Sequence, residues 1–256
     1  MFARGAPRPF NTHPRRGYSC SVCDHSKWCV RARPCYAMKA SGMSQQEYRS
    51  EVLTAKNVQV AARLAAAAFA NTPCYTEILP GDERERVSFL EWLFEKNFSL
   101  RLDDDCGRCT YNGDTLISFF MFVKPDVRHP TFCDMIKAGL ILGLWSYGYS
   151  AVQRLLSTKS WFEEKEEEVL GDRAGTMIRV ERMTVLPSYQ GKGVGSHALR
   201  AALRESDELG IPCILGTQEE RNVTFYSRLG FEIVDESHCP IGRGYTNWMM
   251  IREPKS

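Results

Sequence analysis

Residues 183–196 combine three patterns that rarely occur together. A short apolar strand pattern ends at Pro187, three glycines follow, and a helical pattern begins and continues to Leu209. Strand, glycine loop and helix in this order build an anion site. Glycine lets the backbone approach a ligand closely, and the free N–H groups at a helix N-terminus face negative charge. The segment therefore predicts a loop that holds a phosphate group of a ligand.

The spacing of the glycines narrows the choice of ligand. A P-loop has Lys followed by Ser or Thr after its last glycine, whereas here Lys192 precedes Gly193. A dinucleotide fingerprint needs glycine at 191, 193 and 196, and residue 196 is serine. Both spacings fail, which disfavours a kinase-like nucleotide-binding protein. The pattern that remains is Gln190-x-x-Gly193-x-Gly195.

This pattern resembles the Gln/Arg-x-x-Gly-x-Gly/Ala loop of the GNAT N-acetyltransferases. Downstream, residues 222–231 (Asn-Val-Thr-Phe-Tyr-Ser-Arg-Leu-Gly-Phe) resemble the Asn-x-x-x-Phe-Tyr-x-x-x-Gly-Phe segment of the same family. The C-terminal segment 247–252 and a long insertion at 125–165 are similar to a subgroup that includes puromycin N-acetyltransferase. On these motifs the chain is identified as a member of the GNAT family over residues 55–252.

The resemblance implies an α+β fold, in which a central mixed, mostly antiparallel sheet is flanked by helices. We expect a Cys-rich N-terminal extension at 1–50 and the acetyltransferase domain at 51–256. The local patterns agree with the family's order of elements. They predict helices at 57–70, 83–98, 139–156 and 222–229, a hairpin turning at Asn112-Gly113 between 108–111 and 115–123, and strands at 177–185, 211–217, from 231 and at 246–251. The Glu-rich segment 161–170 is expected to be a solvated helix face or loop.

In this family the loop cradles the pyrophosphate of acetyl-CoA, and the preceding strand offers free backbone groups to the pantetheine arm and acetyl oxygen. The cofactor-binding residues implied by position are Met183, Thr184, Val185, Gln190, Gly191, Lys192, Gly193, Val194, Gly195, Ser196 and Asn222. Two of them have a second interpretation. Lys192 fits a solvent-facing lysine equally well, and Asn222 fits a helix N-cap.

Acetyl transfer to an amine requires a neutral amine and a proton for the departing thiolate. By resemblance, Tyr226 is the general acid, a role that suits a phenol because it is neutral at pH 7 and a good donor; the alternative is an aromatic side chain that only packs. Glu181 is the candidate base, on the same side of its strand as Met183 by the two-residue period. It could act directly, act through water, or pair with a neighbouring arginine.

The N-terminal extension has four closely spaced cysteines, Cys20, Cys23, Cys29 and Cys35. Four thiolates could close a tetrahedral zinc site, as could a split site that pairs the first two with Cys106 and Cys109. The alternatives are free thiols in a mobile tail and a strand that contains two cysteines. Zinc is therefore a weaker expectation than acetyl-CoA, and no metal ligand is assigned firmly.

The composition limits which binding partners and which cellular compartment are expected. A formal charge of +2, with 43% apolar and 25% charged residues, gives no reason to expect nucleic acid or a membrane as partner. Ten cysteines without a secretory pattern favour a reducing, cytoplasmic location. The basic start of the chain also permits a mitochondrial presequence, although its prolines disfavour the required helix. We therefore expect an acetyl-CoA-dependent N-acetyltransferase that acts on a small-molecule amine. The alternatives are a protein or peptide N-acetyltransferase, and a non-catalytic acyl-CoA sensor.

Overall fold

The computed structural model describes residues 48–128, 130–139 and 147–255. The four cysteines of the predicted zinc site and nearly all of the predicted extension lie outside these residues. The boundary at residue 50 therefore stays a prediction.

A single seven-stranded sheet organises the described chain. Its order is β1-β2-β3-β4-β5-β7-β6, and every neighbouring pair is antiparallel except β4 and β5. The predicted mixed, mostly antiparallel sheet is confirmed. The strands are β1 (Arg49–Val52), β2 (Gly107–Asn112), β3 (Thr115–Val123), β4 (Ile178–Val185), β5 (Cys213–Thr217), β6 (Glu232–Cys239) and β7 (Tyr245–Arg252).

Helices cover both sides of the sheet. They are α1 (Val58–Phe69), α2 (Pro73–Ile78), α3 (Glu83–Ser99), α4 (Phe132–Lys137), α5 (Tyr149–Leu170), α6 (Val194–Leu209) and α7 (Glu220–Ser227). Strand β3 is apolar from Leu116 to Val123 except for Ser118, as expected of a strand that is buried on both faces. Phe119 and Met121 pack with α1 and α3, on what we call the α1 face. Phe120 and Phe122 pack with α6 and α7, on the α6 face.

Most elements lie where the local patterns predicted them, with four differences. The short helix α4 was not predicted. β1 was not predicted. A short helix begins at Pro73, where the sequence predicted only a stop, because proline fits the first turn of a helix. Residues 149–170 form one helix, so the Glu-rich segment continues the preceding helix, and its Glu166 is buried against Arg179 rather than solvated.

Candidate functional site

A β-bulge interrupts β4 in the middle of its pairing with β3. Met121 lies opposite Glu181 and Phe119 opposite Thr184, so three steps on β4 match two steps on β3. The extra residue is Arg182, whose φ of 53° is left-handed. A non-glycine residue in this region costs about 1–3 kcal/mol and persists only where the surrounding structure enforces it, often at functional sites.

The bulge changes which side chains share a face. Glu181 lies opposite Met121 on the α1 face, whereas Met183 packs into the cluster on the α6 face. The expectation that these two residues lie on the same side is wrong, because the inserted residue breaks the two-residue alternation between them. Glu181 and Arg182 therefore face α1 and α3, away from the glycine loop.

Strands β4 and β5 separate beyond a short contact. Their parallel pairing includes only Ile178 with Cys213 and Arg179 with Ile214. From there to Val185, the edge of β4 that faces β5 has no strand partner in the described chain. Unpaired strand edges can hydrogen-bond an extended ligand.

Backbone direction alternates along this open edge. The Thr184 carbonyl points toward β3, where it accepts a hydrogen bond from Ser118 Oγ at 2.9 Å. Because backbone groups alternate along a strand, those of Met183 and Val185 point into the gap. The Val185 carbonyl there accepts a hydrogen bond from Gln190 Nε2 at 3.0 Å. Three strand residues were predicted to bind pantetheine. Of these, Met183 has a free N–H and carbonyl that face the gap, and Val185 has a free N–H there.

The glycine loop presents a run of unused donors. Gly191 and Gly193 have φ of 73° and 81°, which glycine adopts without strain. Within the described chain, the N–H groups of residues 191–196 donate to no backbone or side-chain acceptor. The last three belong to the first turn of α6, where the helix dipole adds positive potential. This arrangement suits the pyrophosphate of acetyl-CoA.

Side-chain contacts hold the loop in place. Asn112 Nδ2, at the hairpin turn between β2 and β3, donates to Tyr189 Oη at 2.9 Å. The Lys192 ammonium lies 5.3 Å from the centre of the Tyr189 ring and forms no ion pair in the described chain. Lys192 is exposed, so its charge is available to an anion at the loop.

Gly195 is required for a different reason, namely close packing. A Cβ at this position would lie 3.3 Å from Phe225 Cζ, 3.3 Å from Val185 Cγ2 and 3.4 Å from Met183 Cε. These atoms come from α7 and β4, so the first turn of α6 contacts both walls of the gap. The glycine loop, the open strand edge and α7 therefore meet at one place.

Tyr226 lies on α7 beside this junction. It is 8% exposed, and its ring packs against Phe225 and Phe231 at centroid distances of 5.0 Å and 5.8 Å. Burial raises the pKa of the phenol above its ordinary value of 10.0. The hydroxyl makes no hydrogen bond with any described residue. The side chain therefore packs in the core and also carries a free donor.

Asn222 does not cap α7. The N-cap is Glu219, and Asn222 is the third residue of the helix. Its Nδ2 donates to Thr217 Oγ1 at 3.3 Å and to Glu219 Oε2 at 3.2 Å. These bonds connect the end of β5 to α7 and so fix the far wall of the gap.

Glu181 lies in a charged recess on the α1 face. Its Oε2 accepts from Arg182 Nη1 at 2.5 Å, and the two side chains are 34% and 28% exposed. Burial raises the pKa of Glu181, but three nearby guanidinium groups lower it by more, so the net pKa lies below the usual 4.5. These groups belong to Arg182, Arg101 and Arg179. Glu181 is therefore ionised at neutral pH.

Arg182 and Tyr75 complete this recess. Pairing with a neighbouring arginine was one of the alternatives predicted for Glu181, and Arg182 is that partner, whereas Tyr75 was not predicted from the sequence. The Arg182 guanidinium lies 5.6 Å from the centre of the Phe94 ring, beside the Tyr75 phenol. The one available signal was a pair of adjacent charges, Glu181-Arg182, inside a buried strand.

The described residues contain no group of three or more His, Cys, Asp and Glu side chains that could hold a metal ion. In the same residues, no helix is both long and apolar enough to cross a bilayer.

Comparisons with known proteins bear on the fold of the chain. Residues 158–233 match the family model of the acetyltransferase (GNAT) domain. A putative arylalkylamine N-acetyltransferase 7 from the yellow fever mosquito is 14% identical, with 80% of this chain and 87% of that chain covered and a TM-score of 0.56.

Two other solved structures share the fold. A histone acetyltransferase-related protein of Corynebacterium glutamicum is 14% identical over 82% of this chain and 97% of its own, with a TM-score of 0.55. A polyamine N-acetyltransferase of Drosophila melanogaster is 9% identical over 81% of this chain and 100% of its own, with a TM-score of 0.54. At these identities the likeness shows the fold. The family model and these structures show what the chain is similar to: the acetyltransferase (GNAT) domain over residues 158–233, and the acetyltransferase fold over most of its length.

Proposed function

We propose that this protein transfers an acetyl group from acetyl-CoA to the primary amine of a small molecule. The observation that carries the proposal is the run of six unused N–H groups at residues 191–196, beside the open edge of β4. Six donors at a helix N-terminus match the charge of a pyrophosphate. The open strand edge matches the amide groups of pantetheine, which can add to β4 as a further strand would.

In the proposed reaction, the amine nitrogen attacks the thioester carbonyl carbon, forming an N–C bond while the C–S bond breaks. The Met183 N–H, at the open edge, is placed to stabilise charge on the carbonyl oxygen. The proton that the amine loses passes to Glu181, directly or through water. Glu181 can accept this proton because it is ionised, and its partly exposed side chain is open to a relaying water molecule. Its lowered pKa makes it a weaker base than an ordinary glutamate.

Tyr226 is proposed as the donor to the leaving thiolate. Because burial raises the pKa of its phenol, the group remains protonated at any working pH. The same shift makes complete proton transfer harder, so the hydrogen bond to sulfur as the C–S bond breaks is an important part of its contribution. The sulfur leaves with a proton from Tyr226, the phenolate regains a proton from water, and Glu181 releases to water the proton that it accepted. The products are the N-acetylated amine and the thiol of CoA.

A small-molecule acceptor is favoured over a protein. Two of the structures with the same fold are named for small amines, arylalkylamines and polyamines. One is named as related to a histone acetyltransferase, which keeps a protein or peptide acceptor as the second candidate. The proposal takes acetyl-CoA as cosubstrate and assigns no role to zinc.

The test is a thiol-release assay with acetyl-CoA against a panel of small amines and peptides, with CoA binding measured by calorimetry. The proposal expects turnover on small amines, and a Glu181→Gln variant that binds CoA normally but is slower near neutral pH. Turnover on peptides alone would favour the protein acceptor. Binding without turnover would favour a sensor, and no binding of CoA would overturn the interpretation of the loop. Equal rates for Glu181→Gln at every pH would remove Glu181 from the mechanism.

A further inference from the structure

The recess around Glu181 contains more unused positive donors than negative acceptors. Arg179 is already paired, because both its terminal nitrogens donate to the Glu166 carboxylate. Arg101 has only a 3.9 Å contact with Asp104, and its Nη1 is buried without a hydrogen bond. Arg182 donates through Nη1 to Glu181, while its Nε has no partner among the described residues.

The acids of the same recess offer little to a second cation. Among the described residues near Glu181, Glu166 accepts two hydrogen bonds from Arg179, and Asp104 has only the 3.9 Å contact with Arg101. A second cationic group on the acceptor, as in a polyamine, would therefore meet three guanidinium groups and, apart from Glu181, one carboxylate that a guanidinium already faces. Like charges brought together in a partly buried site are strongly unfavourable.

The ion pair of Glu181 and Arg182 offers one charge of each sign at adjacent positions. A zwitterion can lie antiparallel to it, with the ammonium against Glu181 and the carboxylate against Arg182. Arginine suits this role because it keeps its positive charge and has several N–H donors. Since Nη1 donates to Glu181 and Nε is buried, the carboxylate would contact the remaining terminal N–H groups of this 28% exposed side chain. The left-handed bulge and the Phe94 ring hold the guanidinium in place, so that little side-chain freedom remains to be lost on binding.

We infer that Arg182 binds a carboxylate of the acceptor, which makes the preferred substrate a primary amine that also carries a carboxylate, as amino acids do. This inference rests on the proposed acetyltransferase activity and narrows its substrate class. It assigns Glu181 to the amine and Arg182 to the anionic group. It also gives a function to the strained backbone at Arg182, which the proposed acetyl transfer alone does not explain.

The test compares acceptors that differ only by the carboxylate: phenylalanine against phenethylamine, and arginine against agmatine. A charge-assisted hydrogen bond contributes roughly 1.5–3 kcal/mol, so the amino acid of each pair should have about a tenfold or greater advantage in kcat/KM. In Arg182→Gln that advantage should fall to about threefold or less, mainly through a higher KM for the amino acid.

The ratio within each pair separates recognition from other effects. Arg182→Gln also removes a charge that lowers the pKa of Glu181, but that change affects both members of a pair alike and leaves their ratio unchanged. Arg108→Gln is the matched control. Its guanidinium lies over Phe122 on the α6 face and pairs with Glu205, so the same charge is lost away from the recess. The control should retain the wild-type ratio.

A second measurement needs no variant. 3-Phenylpropionate should inhibit the wild-type enzyme competitively against the acceptor, and the neutral 3-phenylpropanamide should inhibit at least about tenfold more weakly. Equal inhibition, or amines that react as well as their amino acids, would overturn the inference while leaving the acetyltransferase intact. Absence of turnover with every acceptor would overturn the proposed function, and the inference with it.

Discussion

Replacing Tyr226 with Phe separates catalysis from stability. The phenol makes no hydrogen bond with the described residues, and its ring packs against Phe225 and Phe231. Removing the hydroxyl therefore leaves no partner unsatisfied and keeps the ring contacts. We expect the free energy of unfolding to change by less than about 0.5 kcal/mol, because no hydrogen bond to a described residue is lost and the hydroxyl oxygen is not one of the fully buried polar atoms without a partner. The rate of the reaction, rather than the stability of the fold, should decrease.

Loss of an acid that assists the departure of the thiolate typically slows a reaction by about 10²–10⁴-fold. We expect kcat for Tyr226→Phe to fall by about 10²-fold or more, which corresponds to roughly 2.7 kcal/mol of transition-state stabilisation. CoA affinity should not change, since the phosphate-binding N–H groups belong to α6 and its loop. Thiol release, calorimetry with CoA and urea unfolding measure the three quantities.

Tyr245→Phe is the matched control. Its phenol is also buried, but it donates to Cys74 Sγ at 3.3 Å, away from the glycine loop. The control should lose about 1 kcal/mol of stability and retain its kcat. A normal kcat in Tyr226→Phe, or a loss of stability there as large as in the control, would refute the assignment of Tyr226 as a catalytic donor and support a packing role.

Three further outcomes are expected. Gly193→Ala places alanine at a φ of 81°, which costs about 1–2 kcal/mol if the loop relaxes when free. The Kd for CoA should then rise roughly 5–30-fold by calorimetry, and Gly175→Ala, equally strained at 73°, should leave it unchanged. Asp207 accepts two hydrogen bonds from the buried Arg252 at the end of β7, both at 2.8 Å. Asp207→Ala leaves this guanidinium without its partner, so the free energy of unfolding, measured in urea, should fall by about 3 kcal/mol. Hydrogen bonds from Arg243 hold the pKa of Glu77 below its usual 4.5. This pair therefore stabilises the fold fully at pH values above 4.5, and the stabilisation is lost as the pH falls through the lowered pKa of Glu77. The difference in free energy of unfolding between wild type and Glu77→Gln should therefore become smaller as the pH is lowered. A difference that stays constant with pH would contradict this role of the Glu77–Arg243 pair.

Features encoded by neighbouring residues could be predicted from the sequence. The hairpin at Asn112-Gly113 and the amphipathic helices follow from turn preference and hydrophobic period, which act over a few residues. The glycine loop is of the same kind. Gly191 and Gly193 were expected to shape an anion site, and both adopt left-handed backbone. The coenzyme side of the candidate site was therefore visible in a single stretch of chain.

The acceptor side depended on contacts between distant segments. The bulge at Arg182 exists only in the register of β4 against β3, and it moves Glu181 to the face opposite Met183. Strict alternation along the strand could not predict this, because strand register is set by packing and pairing rather than by local preference. Burial of Glu166 in a charged helix has the same origin, since its partner Arg179 lies on β4. The sequence by itself determined where the phosphate is expected to bind. The tertiary structure decided which charges surround the proposed acceptor site, because Arg101, after α3, is brought beside Glu181 and Arg182 on β4, far away in the chain.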